Sequence, residues 1–362
     1  MKRIFFTVTN DLNYDQRMDR ICDTLATAGY LVTMVGREKA NSLPIVPKKY
    51  VQKRLRCLFS KGQLFYAEFN IRLLFHLLFK RMDAICCVDL DTILPALIIS
   101  VVKKVQRIYD AHELFCEMKE VVSRPPVYKI WKRIEHFCVP RFVYGYTVSE
   151  PISLEFQRMY GVKYEQILNV PRLDPNILPP GKQQYILYQG AVNEGRSFET
   201  LIPAMRNIPA ILVICGDGNF MQKAKQLVED NNLKEKVTFT GMLRPEELKT
   251  YTHDAKIGLT LFENMGQSNY FSLANRFFDY IHAGIPQLCV GYPAYRKINT
   301  HFCVALLIDD LSPEVISMSL NNLLANNVLY SAMQAACFQA REVYNWQEEE
   351  KKLLSFYRRI FA

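Results

Sequence analysis

The sequence predicts an α/β protein made of two domains, each built on a parallel sheet. The chain of 362 residues is longer than one hydrophobic core usually serves. Short β-branched and aromatic runs alternate with longer stretches of helical period in both halves, which is typical of parallel α/β folds. A proline-rich stretch without periodicity, "PRLDPNILPPGKQQ" at 171–184, separates the two series. The domain boundary is therefore predicted near residue 171.

The elements follow in chain order. In the first half, strands are predicted at 4–9, 31–35, 84–88, 106–109, 143–148 and 166–170, and helices at about 15–28, 64–80, 92–103, 128–138 and 151–160. In the second half, strands are predicted at 185–189, 210–215, 237–240, 257–262, 287–290 and 305–308, each leading into a helix or turn, and the chain after Pro313 is predicted to be helical. Two such units place the carboxyl ends of both sheets at a shared cleft, where ligands of such folds bind.

Composition indicates a soluble protein of a reducing compartment. Hydrophobic residues make up 49% of the chain and charged residues 22%. The ten cysteines form no CxxC pair and no Cys/His cluster with zinc spacing, so we expect no structural zinc. The first apolar run is too short for a signal peptide, and 64–79 is interrupted by Glu68, Asn70 and Arg72. We therefore expect a cytoplasmic protein.

One window carries most of the net charge. Residues 48–81 contain nine Lys/Arg and a single acid, Glu68, which accounts for +8 of the formal +9. Aromatic and aliphatic residues interleave with these cations, a pattern that suits contact with an anionic membrane surface. The alternative is a solvated basic loop followed by a core helix, in which Glu68 pairs with Arg72. No nucleic-acid-binding motif accompanies the window, so nucleic acid is not expected as a partner.

The segment 268–286, "SNYFSLANRFFDYIHAGIP", places ligand-capable side chains on one helical face. Ser272, Asn275, Arg276 and Asp279 recur at i, i+3, i+4 and i+7, a stripe of roughly 10 Å. That is about the reach from a diphosphate to a ribose. The segment predicts an anion near Ser272 at the helix start and sugar hydroxyls on Asp279. The alternative is a solvated polar stripe on a core helix.

Two strand ends in the second half supply further candidates. The strand 210–215 runs into Gly216-Asp217-Gly218, a turn that allows close backbone approach to a ligand, although a tight turn without a ligand is equally compatible. Arg196 follows the strand that ends at Gly190. Because a cation at a helix start opposes the helix dipole, an anionic partner such as phosphate is favoured. The alternative is an ordinary surface arginine.

In the first half, acidic clusters follow two predicted strands. Asp89 and Asp91 follow the strand 84–88, and Asp110, His112 and Glu113 follow the next strand. Sites in parallel sheets form at these strand ends. The side chain of His112 is suited to exchange a proton near neutral pH, with Glu113 holding its tautomer or binding a hydroxyl. Helix capping by these acids is the alternative.

Eight segments, taken in order and spacing, carry a family resemblance over nearly the whole chain. They are "NYDQRMDRICDTLATAGYLVTMVGR", "YDAHELF", "YTVSEPI", "YQGAVNEGRSFETLIPAM", "VICGDGN", "VTFTGMLRPEELKTYTHDAKIGLTLF", "SLANRFFDYIHAGIP" and "YNW". In these segments the chain resembles the GT-B glycosyltransferases, most closely the retaining family 4 group that builds bacterial surface glycans from nucleotide sugars.

The resemblance implies two Rossmann-like domains facing across a cleft. Residues 1–171 with about 346–362 would form the acceptor domain, residues 172–345 the donor domain, and the C-terminal helix would cross back to the first domain from Trp346. The implied catalytic residues are His112, Arg196 and Arg276. The implied donor-binding residues are Gly190, Gly216, Asp217, Met242, Leu243, Ser272, Leu273, Asn275 and Asp279. The implied acceptor-binding residues are Asp15, Arg17, Asp91 and Glu113.

The implied activity is transfer of a hexose, with retention, from a nucleoside-diphosphate sugar to a hydroxyl of a glycan or lipid-linked glycan, without metal or cofactor, at the inner face of the cell membrane. The sequence departs from the family pattern at three places. Phe271 stands where the family has its first glutamate, Ala191 and Gly195 stand where it has cations, and Arg276 replaces a commoner lysine. A non-catalytic nucleotide-sugar binder of a glycan assembly complex is one alternative. A GT-B epimerase, which needs several histidines beside His112, is another.

Overall fold

The computed structural model describes residues 1–13, 15–40, 42–175 and 185–362. The chain divides into two compact units, Met1–Asn169 with Glu349–Ala362, and Val170–Glu348. Of the predicted linker, residues 171–175 contain neither helix nor strand, and residues 176–184 lie outside the described residues.

The first unit contains a seven-stranded parallel sheet in the order β3-β2-β1-β4-β5-β6-β7. Its strands are β1 (Arg3–Thr7), β2 (Leu31–Glu38), β3 (Val51–Arg56), β4 (Ala84–Val88), β5 (Gln106–Ala111), β6 (Tyr144–Thr147) and β7 (Glu165–Gln166). Its helices are α1 (Gln16–Thr27), α2 (Gly62–Leu78), α3 (Ile93–Lys103), α4 (Lys119–Val122), α5 (Pro125–Cys138) and α6 (Glu150–Tyr160).

The second unit contains a six-stranded parallel sheet in the order β10-β9-β8-β11-β12-β13. Its strands are β8 (Ile186–Gln189), β9 (Leu212–Cys215), β10 (Val237–Gly241), β11 (Ile257–Thr260), β12 (Gln287–Val290) and β13 (Ala305–Ile308). Its helices are α7 (Phe198–Ala204), α8 (Met221–Asp230), α9 (Pro245–Asp254), α10 (Gln267–Phe271), α11 (Asn275–Ala283), α12 (Pro293–His301), α13 (Pro313–Ala325) and α14 (Asn327–Val343), followed by α15 (Trp346–Phe361). Two parallel sheets with interleaved helices confirm the predicted fold class.

The strand β3 was not predicted. Among the described residues it is an edge strand, paired with β2 in parallel register from Thr33 opposite Val51 to Glu38 opposite Arg56. Its sequence VQKRLR lacks the apolar alternation of a half-buried strand, because an edge strand with exposed side chains needs little burial. The segment interpreted as the start of a basic loop therefore belongs to the sheet.

The last helix, α15, connects the two units. Its first residue, Trp346, is fully buried, and its backbone N–H donates to the Pro171 carbonyl at 2.8 Å. Residues 349–362 belong to the first unit, where the buried Tyr357 ring packs 6.4 Å from Phe6 and 6.5 Å from Tyr146 between ring centroids. Burial of these rings attaches the C-terminus of the chain to the first sheet.

Helices α2, α3 and α5 lie side by side on one face of the first sheet, with α3 in contact with both neighbours. The strand order explains this placement. Each of these helices connects a strand to a parallel strand that lies further toward the β7 edge of the sheet. Because such crossovers are right-handed, all three helices lie on the same face. No helix within the described ranges is long and apolar enough to cross a membrane.

Candidate functional site

The helix α11 begins at Asn275, three residues later than the stripe of polar side chains predicts. Ser272 is in extended conformation, with its hydroxyl donating to the Asn269 carbonyl at 2.8 Å. The Ala274 N–H donates to the Tyr295 hydroxyl at 2.9 Å, which satisfies a backbone group just before the helix. Ser272 thus lies near the helix start but precedes the helix by three residues, and the positive end of the helix dipole lies at Asn275, which is exposed.

Asp279 lies one turn into α11 and is held by a chain of hydrogen bonds. The Gln189 amide donates to its carboxylate at 2.8 Å, and the Thr252 hydroxyl donates to the Gln189 carbonyl oxygen at 2.7 Å. Gln189 is buried at the end of β8, whereas Asp279 is partly exposed. A partly exposed carboxylate that is anchored by Gln189 is suited to accept hydrogen bonds from a ligand.

Two arginines meet on one aromatic ring beside Asp279. The guanidinium of Arg276 lies 4.7 Å from the centroid of Phe262, and that of Arg196 lies 4.4 Å from the same centroid. Arg276 also stacks 4.4 Å over the ring of Tyr188, and its Nη1 donates to the Gln189 carbonyl at 2.7 Å. Its Nε is buried without a hydrogen-bond partner among the described residues. The two arginines place positive charge beside the segments that follow β8 and β11, at the carboxyl end of the second sheet.

The glycine turns predicted as ligand contacts pack against each other. A Cβ on Gly216 would lie 1.8 Å from the carbonyl oxygen of Gly190, and one on Gly218 would lie 2.3 Å from that of Val192. The two loops also exchange backbone bonds, from Gly190 to Cys215 at 2.9 Å and from Val192 to Asp217 at 3.0 Å. The absence of a side chain at Gly216 therefore allows the two loops to pack closely. Gly190 is exposed.

The remaining donor-side candidates lie in different surroundings. Met242 is 69% exposed, and Asp217 is exposed with its carboxylate accepting from the Gly218 N–H at 2.8 Å. Leu243 packs against a hydrophobic cluster of the second unit, and Leu273 is buried. Both leucine side chains thus contribute to the core. Of the neighbouring residues Met242 and Leu243, Met242 is the one whose side chain is accessible.

In the first unit, His112 lies between two carboxylates. Its Nε2 is 3.1 Å from Oδ2 of Asp110, and its Nδ1 is 3.5 Å from Oδ2 of Asp89. The Asp89 carboxylate also accepts from the His112 backbone N–H at 2.9 Å. The carboxylates of Asp110 and Asp89 thus face the two ring nitrogens, and a role of Glu113 in binding a hydroxyl stays a prediction.

The surroundings of His112 favour its charged form. Burial lowers the pKa of His112, but the carboxylates of Asp110 and Asp89 outweigh burial and raise the pKa from 6.5 to about 9. Burial acts in the opposite direction on Asp110, whose pKa is lowered because Arg17 and His112 outweigh it. At neutral pH the ring is therefore a cation and a hydrogen-bond donor, rather than the base suggested by its ordinary pKa.

Asp89 has a strained backbone as well as a partly buried carboxylate. Its φ of 54° with ψ of 176° is unusual for a residue with a side chain. The Asp89 N–H donates to the Asp110 carbonyl at 2.9 Å, and the carboxylate is bound by His112, so two contacts hold this conformation. Asp89 was identified only as part of a cluster, and no sequence signal marked it as the residue beside the imidazole.

Asp91 is the acid of this cluster with an unsatisfied oxygen. Its Oδ2 accepts from the Thr9 hydroxyl, while Oδ1 is buried without a partner among the described residues. Burial raises the pKa of Asp91 to about 7, and the nearby charge of Glu113 acts in the same direction. Asp91 is 8% exposed, whereas Glu113 is partly exposed.

Two predicted acceptor contacts have structural roles. Asp15 caps α1, because its carboxylate accepts from the Met18 N–H at 3.1 Å. The side chain of Arg17 is 3% exposed and forms an ion pair with Asp110 at 3.0 Å, while its Nη1 donates to the Ile167 carbonyl at 2.9 Å. The buried arginine does not fit direct contact with an acceptor. It holds Asp110 in place beneath His112.

We expect the thermal stability of the first unit to fall as the pH rises from about 7 to about 9.5. The folded pKa of His112, about 9, lies above its ordinary value of 6.5, so its stabilisation is fully present below 6.5 and is lost through pH 9. A fall in Tm of about 5 °C is expected. The carboxyls of Asp91 and Asp89, whose pKa values burial raises to about 7 and about 8, act in the same direction, and their windows close near those values.

Scanning calorimetry of His112→Gln and of the exposed control His301→Gln tests this expectation. The pH dependence of the affected transition should shrink in the first variant and persist in the second. Equal pH dependence in wild type and His112→Gln would show that the imidazole is not held as a cation.

Several residues of these surroundings were not predicted. Gln189 contacts Asp279, and Phe262 contacts Arg196 and Arg276, while Thr252 contacts Gln189. No local pattern distinguishes them, since each is an ordinary strand-end, helix or loop residue. Among the described residues, no group of three His, Cys, Asp or Glu side chains is arranged to hold a metal ion.

Residues 170–339, nearly all of the second unit, match the family described as Glycosyl transferases group 1. Over this segment the chain is therefore similar to that family. No curated protein sequence matches the chain significantly.

Several solved structures share the fold over the full chain. The sucrose-phosphate synthase of Thermosynechococcus elongatus has a TM-score of 0.82 at 17% identity, with 100% of both chains covered. HepE of Anabaena, in complex with UDP and glucose, has a TM-score of 0.77 at 12% identity, covering 99% of this chain and 100% of its own. TarM of S. aureus, in complex with Fondaparinux, α-GlcNAc-glycerol and UDP, has a TM-score of 0.73 at 12% identity, with 100% of both covered. At these identities the similarity establishes the GT-B fold.

Proposed function

We propose that this GT-B protein, whose second unit carries a group 1 glycosyltransferase domain, is an intracellular retaining glycosyltransferase. It transfers a hexose from a nucleoside-diphosphate sugar to a hydroxyl of a glycan or lipid-linked glycan, without a metal ion or other cofactor. The second unit binds the donor and the first unit binds the acceptor. HepE and TarM were both solved with UDP, which supports a nucleotide as the donor's leaving group.

The observation that carries the proposal is the arrangement of charges around α11. Arg276 and Arg196 share the ring of Phe262, and Asp279 lies three residues after Arg276 on the same helix. Positions three apart lie on one helical face, about 4.5 Å apart along the axis. Cations for a diphosphate and a carboxylate for a ribose diol are thus adjacent, and the start of α11 adds the positive end of its dipole.

The chemistry of the transfer assigns a role to each charge. The bond between the anomeric carbon and the diphosphate oxygen breaks, and the diphosphate keeps the electron pair. Arg196 and Arg276 stabilise the negative charge that develops there, and this favours departure of the leaving group. The acceptor hydroxyl forms the new bond on the same face of the sugar, which retains its configuration, and its proton leaves with the diphosphate.

In the first unit, the same proposal assigns the acceptor to the polar cluster at the ends of β4 and β5. Glu113, which is partly exposed, accepts hydrogen bonds from hydroxyl groups of the acceptor, whereas the unpaired oxygen of Asp91 is buried and acts on the acceptor indirectly. His112, held as a cation between Asp110 and Asp89, contributes positive charge beside the acceptor instead of accepting a proton. Asp15 and Arg17 act indirectly, by capping α1 and by holding Asp110.

A non-catalytic nucleotide-sugar binder is the second candidate. It is favoured by Phe271, an aromatic residue at the end of α10 that packs 5.2 Å from the ring of Tyr270, where the family has a carboxylate. Such a protein would bind nucleotide with the same residues of α11 and transfer nothing. Turnover on any acceptor, or hydrolysis of the donor, excludes it.

The test is the substitution Asp279→Asn, assayed with a panel of nucleotide sugars. We expect kcat/KM for the donor to fall about 10- to 100-fold, because hydrogen bonds to a charged acceptor contribute about 1.5–3 kcal/mol. Asp230→Asn, on the exposed end of α8, is the matched control and should keep full activity. Calorimetric titration with UDP, GDP and ADP should show the same loss of affinity in Asp279→Asn.

Unchanged donor affinity and turnover in Asp279→Asn would refute the assignment of the ribose site. Binding of nucleotide by wild type without transfer or hydrolysis would instead favour the non-catalytic candidate.

A further inference from the structure

The outer surface of helices α2, α3 and α5 combines exposed apolar side chains with cations. We name this surface the basic-apolar face and define it by its exposed apolar residues. These are Leu64, Ile71, Phe75, Leu78 and Phe79 of α2 and its end, Ile98, Val101 and Val102 of α3, and Ile130 and Phe137 of α5. The three helices form one layer on the first sheet, so their outward sides form one surface.

The helix α2 is apolar on both sides. Its inner side buries Phe65, Phe69, Leu73 and Leu77 completely or nearly so. Its outer side exposes Leu64, Ile71 and Phe75 at i, i+7 and i+11, with exposed fractions of 56–61%, and Phe79 beyond its end is 81% exposed. A helix that is apolar all round is normally buried on all sides. The outer stripe of α2 therefore requires a second apolar environment.

The loop before α2 extends this stripe. The carboxylate of Glu68 accepts from the backbone N–H groups of Leu58 and Phe59 at 2.9 and 3.0 Å, and Arg72 donates to it at 2.7 Å. Leu58 is 85% exposed. The single acid of this region thus fixes two apolar residues beside α2, and these bonds lower its pKa, so it stays ionised and paired.

The face is strongly positive. Residues 58–82, 93–109 and 121–149 contain four, three and five Lys/Arg, against only two acids, Glu68 and Glu135. Glu135 is buried and paired with Lys132 at 2.8 Å. Both acids are therefore neutralised within the protein. Cations remain at the ends of α2, with Lys80 and Arg81 exposed, and along α3 and α5.

A groove on α5 adds a place for anionic groups. It has a volume of about 540 Å³ and is lined by Tyr128, Lys129, Lys132, Arg133, His136, Phe137 and Arg141. The guanidinium of Arg141 stacks 4.1 Å over the ring of Phe137. Lys132 is paired with Glu117 and Glu135, so the groove presents the exposed cations Lys129, Arg133 and Arg141 beside aromatic rings, which suits a phosphate attached to an apolar body.

The cations before α2 contribute less than their number in the sequence indicates. Lys48 pairs with Asp19 at 2.9 Å, and Arg54 pairs with Asp11 at 2.7 Å with both side chains buried. Arg56 pairs with Glu38 at 2.8 Å. The positive surface therefore lies on the helix layer rather than on the segment 48–56.

We infer that the basic-apolar face binds the surface of an anionic lipid bilayer, with the apolar side chains inserted among acyl chains and the cations at the phosphates. The charge selects this occupant. A second copy of the chain would bring two positive faces together, and nucleic acid would leave the apolar stripe exposed to water. The inference does not depend on the reaction that the protein catalyses.

The experiment is co-sedimentation of the full-length protein with lipid vesicles, without nucleotide. We expect binding to vesicles of equal parts phosphatidylcholine and phosphatidylglycerol, little binding to phosphatidylcholine alone, and weaker binding at about 1 M salt. The double substitutions Phe75→Ser with Phe79→Ser, and Lys80→Glu with Arg81→Glu, should each weaken binding roughly tenfold. All four side chains are exposed, so the fold should be retained.

The matched controls lie on exposed sites of the second unit, Val328→Ser and Lys225→Glu, and should bind like wild type. Absence of wild-type binding to anionic vesicles at low salt would overturn the inference. So would equal losses in the control variants. A dimer in sedimentation velocity that Phe75→Ser with Phe79→Ser converts to monomer would identify the face as an interface between copies instead.

Discussion

Replacing Arg276 with methionine is expected to lower kcat about 10²- to 10³-fold. Under the proposed mechanism, Arg276 stabilises the charge on the departing diphosphate, and loss of one such donor commonly has this effect. Its guanidinium is buried between Tyr188 and Phe262, so its charge acts in a region of low dielectric. Methionine fills a similar volume, which limits repacking. Steady-state kinetics with the preferred nucleotide sugar measure the effect.

Two comparisons separate catalysis from folding. Arg206→Met, an exposed arginine of the same unit, should keep wild-type kinetics. Arg276→Lys keeps the charge but loses the stack on Tyr188 and the bond to the Gln189 carbonyl, so an intermediate rate is expected. A correctly folded Arg276→Met variant with more than half of the wild-type kcat would disprove the catalytic role.

Gly216→Ala is expected to destabilise the second unit by about 3–5 kcal/mol, or to prevent its folding. The added Cβ would lie 1.8 Å from the Gly190 carbonyl oxygen, and the φ of +147° is one that residues with side chains rarely adopt. The overlapping atom is a backbone oxygen, so no change of side-chain rotamer can relieve the overlap. Thermal unfolding followed by circular dichroism should show a Tm lower by about 10 °C or more.

Gly241→Ala is the matched control for that substitution. Gly241 also has a positive φ, +71°, but no atom lies within 4 Å of its added Cβ. Only the conformational cost of about 1 kcal/mol is then expected. Equal losses of stability in the two variants would mean that loop-to-loop packing at Gly216 has little effect.

The central strands could be predicted from local pattern alone. The strands β4, β12 and β13 have the bounds that the sequence predicts, 84–88, 287–290 and 305–308, because each is mostly apolar and is followed by an aspartate or a glycine. The edge strand β3 was missed for the opposite reason. It pairs on one side only, and its charged side chains remain in solvent, so burial leaves no apolar pattern in its sequence.

The start of α11 shows where local reasoning fails. The spacing of Arg276 and Asp279 is a property of the helix and could be predicted from sequence, whereas the first helical residue depends on Tyr295, which lies 21 residues beyond Ala274 and binds its N–H. Likewise, the sequence pattern predicts that Gly216 contacts a ligand. In the structure, the loop after β8 occupies the space beside Gly216.

The amino-acid sequence by itself determined the alternating α/β architecture, the residues at the carboxyl ends of the strands, and the cationic character of the chain from 48 to 81. These are properties of neighbouring residues. Only the tertiary structure decided which residues meet: Arg196 and Arg276 on Phe262, Gln189 under Asp279, and Asp89 and Asp110 around His112. Such contacts join residues far apart in the chain, so their geometry and the pKa of His112 follow from packing and burial, which no local pattern encodes.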